Sequence, residues 1–133
     1  MDELVRWLTA CLDEDEQIAR AATPGPWTVD SATYAERIDS PDGPVIAGGR
    51  WGGEASVFES TEDALHIAAH DPARVLREID PDRQLLAMYA EVAANDLNDV
   101  EYAHGWANAL GLAVRLRASA FSDRPGYREE WRP

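Results

Sequence analysis

Apolar residues recur every three or four positions over the first twenty residues of the chain. They are Leu4, Trp7, Leu8, Cys11, Leu12 and Ile18, and charged residues occupy most of the positions between them. This period predicts an amphipathic helix with one buried face. Asp2 can cap the first turn by accepting hydrogen bonds from unpaired amide groups. We expect the helix to end at Thr23–Pro26, where two prolines remove backbone donors.

Between Trp27 and Phe58 the period shifts toward two, and glycine and proline become frequent. The pattern predicts short strands at Trp27–Val29, Tyr34–Ile38 and Val45–Ala47, with Val57-Phe58 as an optional fourth. Ser40-Pro41-Asp42-Gly43 predicts a tight turn, because Pro41 presets φ and Gly43 tolerates a positive φ. So small an antiparallel meander needs helices against one face.

The helical period returns in the second half of the chain. Ser60 and Asp63 form most of a capping box, and Asp71-Pro72 and Asp80-Pro81 each place a capping acid before a proline. We therefore expect helices at about 60–70, 72–79 and 81–97, and a break at Asn95–Asp99. A last helix is predicted from about Val100 to Phe121, with a buried face of Ala103, Trp106, Ala107, Leu110, Ala113 and Val114.

These elements predict a single α+β domain over residues 1–133. Its parts are an N-terminal helix, a small antiparallel β-meander of three or four strands, and a helical C-terminal half. About half of all residues should be helical. The apolar content of 45% is enough for a folded core.

The net charge of the chain limits the kinds of partner that the protein is expected to bind. The chain has 25 acidic residues against 12 arginines and no lysine, a formal net charge of −13. Such a protein is repelled by a phosphate backbone, so direct nucleic-acid binding is not expected. A basic protein partner is one interpretation of the charge, and solubility alone is the other.

Cysteine content, hydropathy and the N-terminal sequence bear on the cellular location of the protein. Cys11 is the only cysteine, so it forms no internal disulfide and is expected to be buried. No apolar run is long enough to cross a membrane, and the acidic N-terminus is unlike a signal peptide. We expect a cytoplasmic protein that needs no membrane and no cofactor.

His66 and His70 are four residues apart and share one helix face, with Glu62 one turn earlier. The spacing allows two imidazoles to bind one metal, but His-Glu-x-x-His is absent and a third ligand cannot be identified. The alternative is structural, with His70 at the helix C-terminus. These two residues are the only metal candidates.

Two segments are candidate partner-binding surfaces. Gly48–Gly53 contains Arg50 and Trp51 but neither phosphate-loop pattern. The C-terminal segment contains Tyr127, Arg128 and Trp131. Exposed tryptophan and arginine are frequent in binding hot spots. The alternative is that these aromatic residues pack on the domain itself, Tyr127 and Trp131 as an i, i+4 pair.

Several motifs together carry a family resemblance. They are Leu65–Glu78 with its Asp71-Pro72, the segment Gly25-Pro26-Trp27, the acidic opening, and the end Asp123–Pro133 with its Tyr-Arg-Glu-Glu-Trp-Arg-Pro. They resemble an uncharacterised family of small proteins from actinobacteria and their phages. Many relatives carry a Cys-x-x-Cys-like stretch, but Val92–Leu112 here has no cysteine, so the resemblance implies no zinc site.

No Ser–His–acid, Cys–His or paired-carboxylate constellation emerges from the sequence. We therefore expect a non-catalytic, acidic interaction protein, in a sharper version an inhibitor that mimics DNA. The alternative is a small metal-dependent hydrolase or metal sensor using His66 and His70. Leu112 and Leu116 lie off the main apolar stripe of the last helix. That extra apolar face predicts a homodimer through the C-terminal helices.

Overall fold

A computed structural model describes residues 1–29, 37–47, 60–97 and 103–133, without the side chains of residues 47 and 97. The helices are α1 (Asp2–Ala21), α2 (Thr61–Ala69), α3 (Pro72–Leu97) and α4 (Ala103–Ser119). The strands are β1 (Thr28–Val29), β2 (Arg37–Ser40) and β3 (Gly43–Ala47), and a 3₁₀ turn covers Glu129–Trp131. The predicted α+β class, with an N-terminal helix and a helical C-terminal half, is confirmed. None of the described helices is both long and apolar enough to cross a membrane.

The chain divides into two compact units, and the divisions fall inside α1 and α3. The terminal unit comprises Met1–Glu14 and Ile79–Pro133, and the middle unit comprises Asp15–Glu78. The single domain expected from the sequence therefore stays a prediction.

The middle unit contains a three-stranded antiparallel sheet in the order β1-β2-β3. Its turn forms as predicted: Gly43 has φ +133°, and the Ser40 hydroxyl accepts from the Asp42 amide at 3.2 Å. The predicted strand Tyr34–Ile38 is corrected, because β2 continues through Ser40 and residues 34–36 lie outside the described part. The proposed fourth strand, Val57-Phe58, also lies outside it. Ile38 is fully buried beside Ala64 of α2, so the sheet lays one face on a helix.

The helix starts agree with the sequence at two of three sites. The Ser60 hydroxyl accepts from the Asp63 amide at 3.2 Å, and Asp71 caps α3. The restart at Asp80-Pro81 is wrong, because α3 runs unbroken with Pro81 inside it. The Asp80 carboxylate accepts from the Gln84 side chain instead.

An interior proline loses one helical hydrogen bond at a cost of about 3 kcal/mol. Burial of Ile79, Leu86 and Tyr89 on the continuing helix offsets that cost. α3 ends at Leu97, within the expected break at Asn95–Asp99 and at the predicted helix end. Residues 98 and 99 lie outside the described part.

Packing in the terminal unit confirms part of the predicted core. Leu4, Leu8 and Leu12 of α1 are fully or almost fully buried, and Cys11 is a buried thiol outside any disulfide. Ile18, which lies in the middle unit, is 62% exposed, contrary to expectation.

The buried face of α4 is Ala103, Gly111, Val114 and Ala118, and Trp106 is exposed. A Cβ at Gly111 would lie 3.4 Å from the Tyr89 ring. Small residues therefore bring α4 close to α3, and this close approach turns Trp106 outward.

Candidate functional site

His66 and His70 lie together at the end of α2, as their spacing predicts. Their ring centroids are 4.3 Å apart and both residues are exposed. The His70 Nδ1 lies 2.8 Å from the His66 carbonyl oxygen, so His70 caps the helix with its ring. Within the described ranges, no group of three or more His, Cys, Asp or Glu residues could hold a metal ion. The pair therefore has no third ligand in that part of the chain.

The C-terminal segment packs on the first turns of α1. Trp131 is 6% exposed, and its ring centroid lies 5.4 Å from that of Trp7. Tyr127 completes the aromatic cluster at 5.5 Å from Trp7. The Arg128 guanidinium meets the Glu3 carboxylate at 2.5 Å. The segment thus packs on its own domain, which was one of the two alternatives.

The turn before this aromatic cluster depends on one glycine. Gly126 has φ +89°, and a Cβ there would lie 3.0 Å from Trp7 Nε1. The same indole N–H donates to the Pro125 carbonyl at 2.9 Å. Of the predicted partner-binding residues, Arg128 stays exposed, whereas Arg50 and Trp51 lie outside the described residues. A partner-binding role for all five stays a prediction.

A second packing centre joins two motifs in the middle unit. Asp71 is a buried carboxylate, and it accepts from the Trp27 amide and from the Arg74 amide, each at 2.8 Å. A Cβ at Gly25 would lie 2.6 Å from Asp71 Oδ2, so the loop needs glycine there. The Asp71-Pro72 motif indicates only a helix cap, so the hydrogen bond of Asp71 to Trp27, 44 residues earlier, was not predicted from the sequence.

The outer face of α4 is apolar and exposed. Trp106, Leu112 and Leu116 are 54%, 51% and 56% exposed. At 3.6 residues per turn, Gly105, Ala109 and Ala113 lie between them. Of the four α-helices in the described ranges, α4 alone has no acidic residue; its sequence is AHGWANALGLAVRLRAS.

The same helix forms one wall of a cleft in the terminal unit. The cleft has a volume of about 760 Å³ and is lined by α1, α3 and α4. Tyr89 lies on α3 in its wall, with Arg6 of α1 and Arg115 of α4. Burial raises the pKa of Tyr89 above its ordinary value of 10.0, and the Asp2 carboxylate adds to the rise. No sequence motif indicates this cleft, because its residues come from three helices.

Comparison with known proteins adds a family but no activity. No curated protein and no solved structure is significantly similar to the chain. The match to a family of unknown function, DUF6221, covers residues 1–133. The resemblance inferred from the motifs is thus confirmed at the level of a family without a known function. The chain belongs to the DUF6221 family.

Proposed function

We propose that the protein is a non-catalytic accessory protein that acts by binding other proteins. The observation that carries the proposal is the exposed, acid-free apolar face of α4. Large exposed apolar groups grouped on one helix face are typical of protein contact sites. The first occupant of this face is a second copy of the chain, which gives a two-fold dimer.

Charge favours a contact between two copies of the chain through α4 over one through any other described helix. Each copy has a net charge of −13, so two copies repel each other. α4 contains two arginines and no acidic residue. Contact between two copies of α4 therefore places no carboxylate of one α4 opposite a carboxylate of the other. At physiological salt, charges more than about 8 Å apart are largely screened.

The expected affinity is modest. The exposed half of Trp106 amounts to about 100 Å², or roughly 2.5 kcal/mol when buried, and each half-exposed leucine adds about 1 kcal/mol. Two copies together gain about 9 kcal/mol from these groups. The loss of translational and rotational freedom costs about 4–15 kcal/mol. The small residues of the face must therefore also be buried in the contact, so that the interface buries about 1,200 Å² in total. We expect a dimer populated at tens of micromolar, which corresponds to roughly 6 kcal/mol of net binding free energy.

Light scattering coupled to size exclusion tests the contact. Wild-type protein at tens of micromolar in 0.15 M salt should have the mass of two 14.7 kDa chains. Leu116→Glu should be monomeric, because it places two carboxylates near the two-fold axis. Ile18→Glu is the matched control, since Ile18 is equally exposed but lies on α1. A monomeric wild-type protein would contradict the dimer.

The further partner is proposed to be a basic protein. A dimer carries twice the net negative charge of one chain. In the sharper version the dimer mimics DNA and occupies the DNA-binding surface of a defence or regulatory protein. The proposed setting is the cytoplasm of an actinobacterium, with a bacterial or phage gene as source. The family resemblance and the acidic composition support it.

Affinity purification from an actinobacterial lysate tests this partner. Bound proteins should be released by duplex DNA and by raised salt, and Leu116→Glu should recover less of them than Ile18→Glu. Specific partners that duplex DNA does not displace would refute the DNA-mimic version. Recovery of no specific partner under several growth and infection conditions would count against protein binding as the function.

A further inference from the structure

The arginines of the described residues differ in whether they are paired with a carboxylate. Among the described residues, eight arginines lie within 4.0 Å of a carboxylate. The guanidinium groups of Arg6, Arg77 and Arg115 make no ion pair or hydrogen bond in that part of the chain. Two of these three, Arg6 and Arg115, line the 760 Å³ cleft. In a protein with twice as many acids as arginines, two unpaired cations on one cleft call for an explanation.

Contacts between side chains give the relative directions of the three helices around the cleft. Arg117 meets Asp82 at 2.7 Å and His104 meets Asp96 at 3.3 Å, so α3 and α4 run antiparallel. On α1, Asp13 meets Arg83 at 2.8 Å. The start of α1 lies further along α3, because Asp2 acts on Tyr89. Since α1 and α4 both run opposite to α3, they are parallel to each other.

This register places the two unpaired arginines at one level. The Met1 side chain lies 3.7 Å from the position of a Cβ at Gly111. From there Arg6 is five residues along α1 and Arg115 is four residues along α4. At 1.5 Å per residue these are rises of about 7.5 Å and about 6 Å. Arg6 and Arg115 therefore face the same end of the cleft from neighbouring helices.

Two of the three carboxylates that line the cleft already have partners. Glu3 is held by Arg128. Asp96 is held by His104, and it lies about 10 Å along α3 from Tyr89. Asp2 is the one carboxylate lining the cleft that has no ion pair among the described residues. Tyr89 is protonated at neutral pH, as any tyrosine with a pKa of 10.0 or more is, so its hydroxyl can donate a hydrogen bond.

We propose that this cleft binds a small organic anion, whose carboxylate or phosphate group lies between Arg6 and Arg115. Guanidinium groups bind both anions through charge-assisted, often bidentate hydrogen bonds. Ala93, Ala107 and Leu112 line the remainder of the cleft and suit an apolar body. Leu112 belongs both to this cleft and to the apolar face of α4, but the anion site is argued from Arg6 and Arg115, which are not part of that face, and does not rest on the proposed dimer.

Arginine side-chain Nε–Hε signals in ¹⁵N-labelled protein provide the test. Inorganic phosphate and succinate are titrated in separate experiments, at constant ionic strength set with sodium chloride. The Arg6 and Arg115 signals should shift together and saturate with one of the two probes, which also distinguishes phosphate from carboxylate recognition. Arg77 is the internal control, because it is also unpaired and lies outside the cleft.

Variants give a second measurement. Arg6→Gln and Arg115→Gln should each weaken binding about tenfold, which is the effect of losing one charge-assisted hydrogen bond. Arg77→Gln should leave it unchanged. Shifts that stay linear, or that Arg77 shares, would show an adventitious ion only and overturn the proposal. The wild-type titration decides the matter even if Arg115→Gln fails to fold.

Discussion

Replacement of Asp71 by alanine should destabilise the protein more than any other single loss of a helix cap. The carboxylate is 5% exposed and serves two amide donors from separate parts of the middle unit. One is the Arg74 amide in the first turn of α3 and the other is the Trp27 amide before β1. Asp71→Ala therefore removes a cap and a tertiary hydrogen bond at once.

The two hydrogen bonds of Asp71 contribute separately to the free energy of unfolding. Loss of an N-cap side chain costs about 1 kcal/mol. Loss of a charged acceptor from the partly buried Trp27 amide costs about 2 kcal/mol more. Asp71→Ala should thus lower the free energy of unfolding by about 3 kcal/mol. Asp71→Asn should lose only the second part, because asparagine caps helices as well as aspartate does.

Urea denaturation followed by circular dichroism measures these values. Ser60→Ala is the matched control, since it removes an exposed cap with one 3.2 Å bond and should cost about 0.5–1 kcal/mol. An Asp71→Ala value within 0.5 kcal/mol of this control would refute the account of Asp71 as a link between two segments. An Asp71→Asn variant as unstable as the alanine variant would refute the division between cap and tertiary bond.

Three further predictions concern the aromatic cluster, the histidines and pH. Trp131→Ala should cost about 3–5 kcal/mol in urea denaturation, whereas Tyr127→Phe should cost nothing, because the Tyr127 hydroxyl is buried without a partner in the described structure. Elemental analysis of untagged protein should find substoichiometric metal, and a chelator should leave Tm unchanged; one equivalent of metal lost in a His66→Ala, His70→Ala variant would revive the metal alternative. Because the pKa of Tyr89 is raised, the folded state keeps the tyrosine proton at a higher pH than the unfolded state does. The contribution of Tyr89 to stability should therefore be constant below pH 10.0 and fall above it. Tyr89→Phe should reduce that fall in thermal denaturation at alkaline pH.

The motifs that carry the family resemblance are, in this structure, mainly packing contacts. Gly25 and Trp27 meet Asp71 in the middle unit. Tyr127 and Trp131 meet Trp7 in the terminal unit. Each motif joins segments far apart in the sequence, and each includes a position where a larger residue would collide. A family can therefore share these motifs because it shares a fold, without a common catalytic site.

The errors of the sequence analysis share one physical cause. Pro81 was predicted to start a helix because its local preference is to interrupt one. Trp106 was placed in the core because it continues an apolar period, and Ile18 for the same reason. For Pro81 and Trp106, the burial of other residues decided the outcome: α3 gains enough apolar contact to carry its proline, and α4 turns its small residues toward Tyr89.

The sequence by itself determined the features that depend on neighbours along the chain. These are the amphipathic α1, the turn at Ser40–Gly43, the caps at Ser60 and Asp71, and the proximity of the two histidines. Each follows from backbone preference or from helical spacing, which act over a few residues. Only the tertiary structure decided which face of α4 is exposed, that Asp71 reaches the Trp27 amide, and that Arg6 and Arg115 share a cleft. Those depend on how closely two helices approach, and that distance is set by the packing of side chains that are remote in sequence.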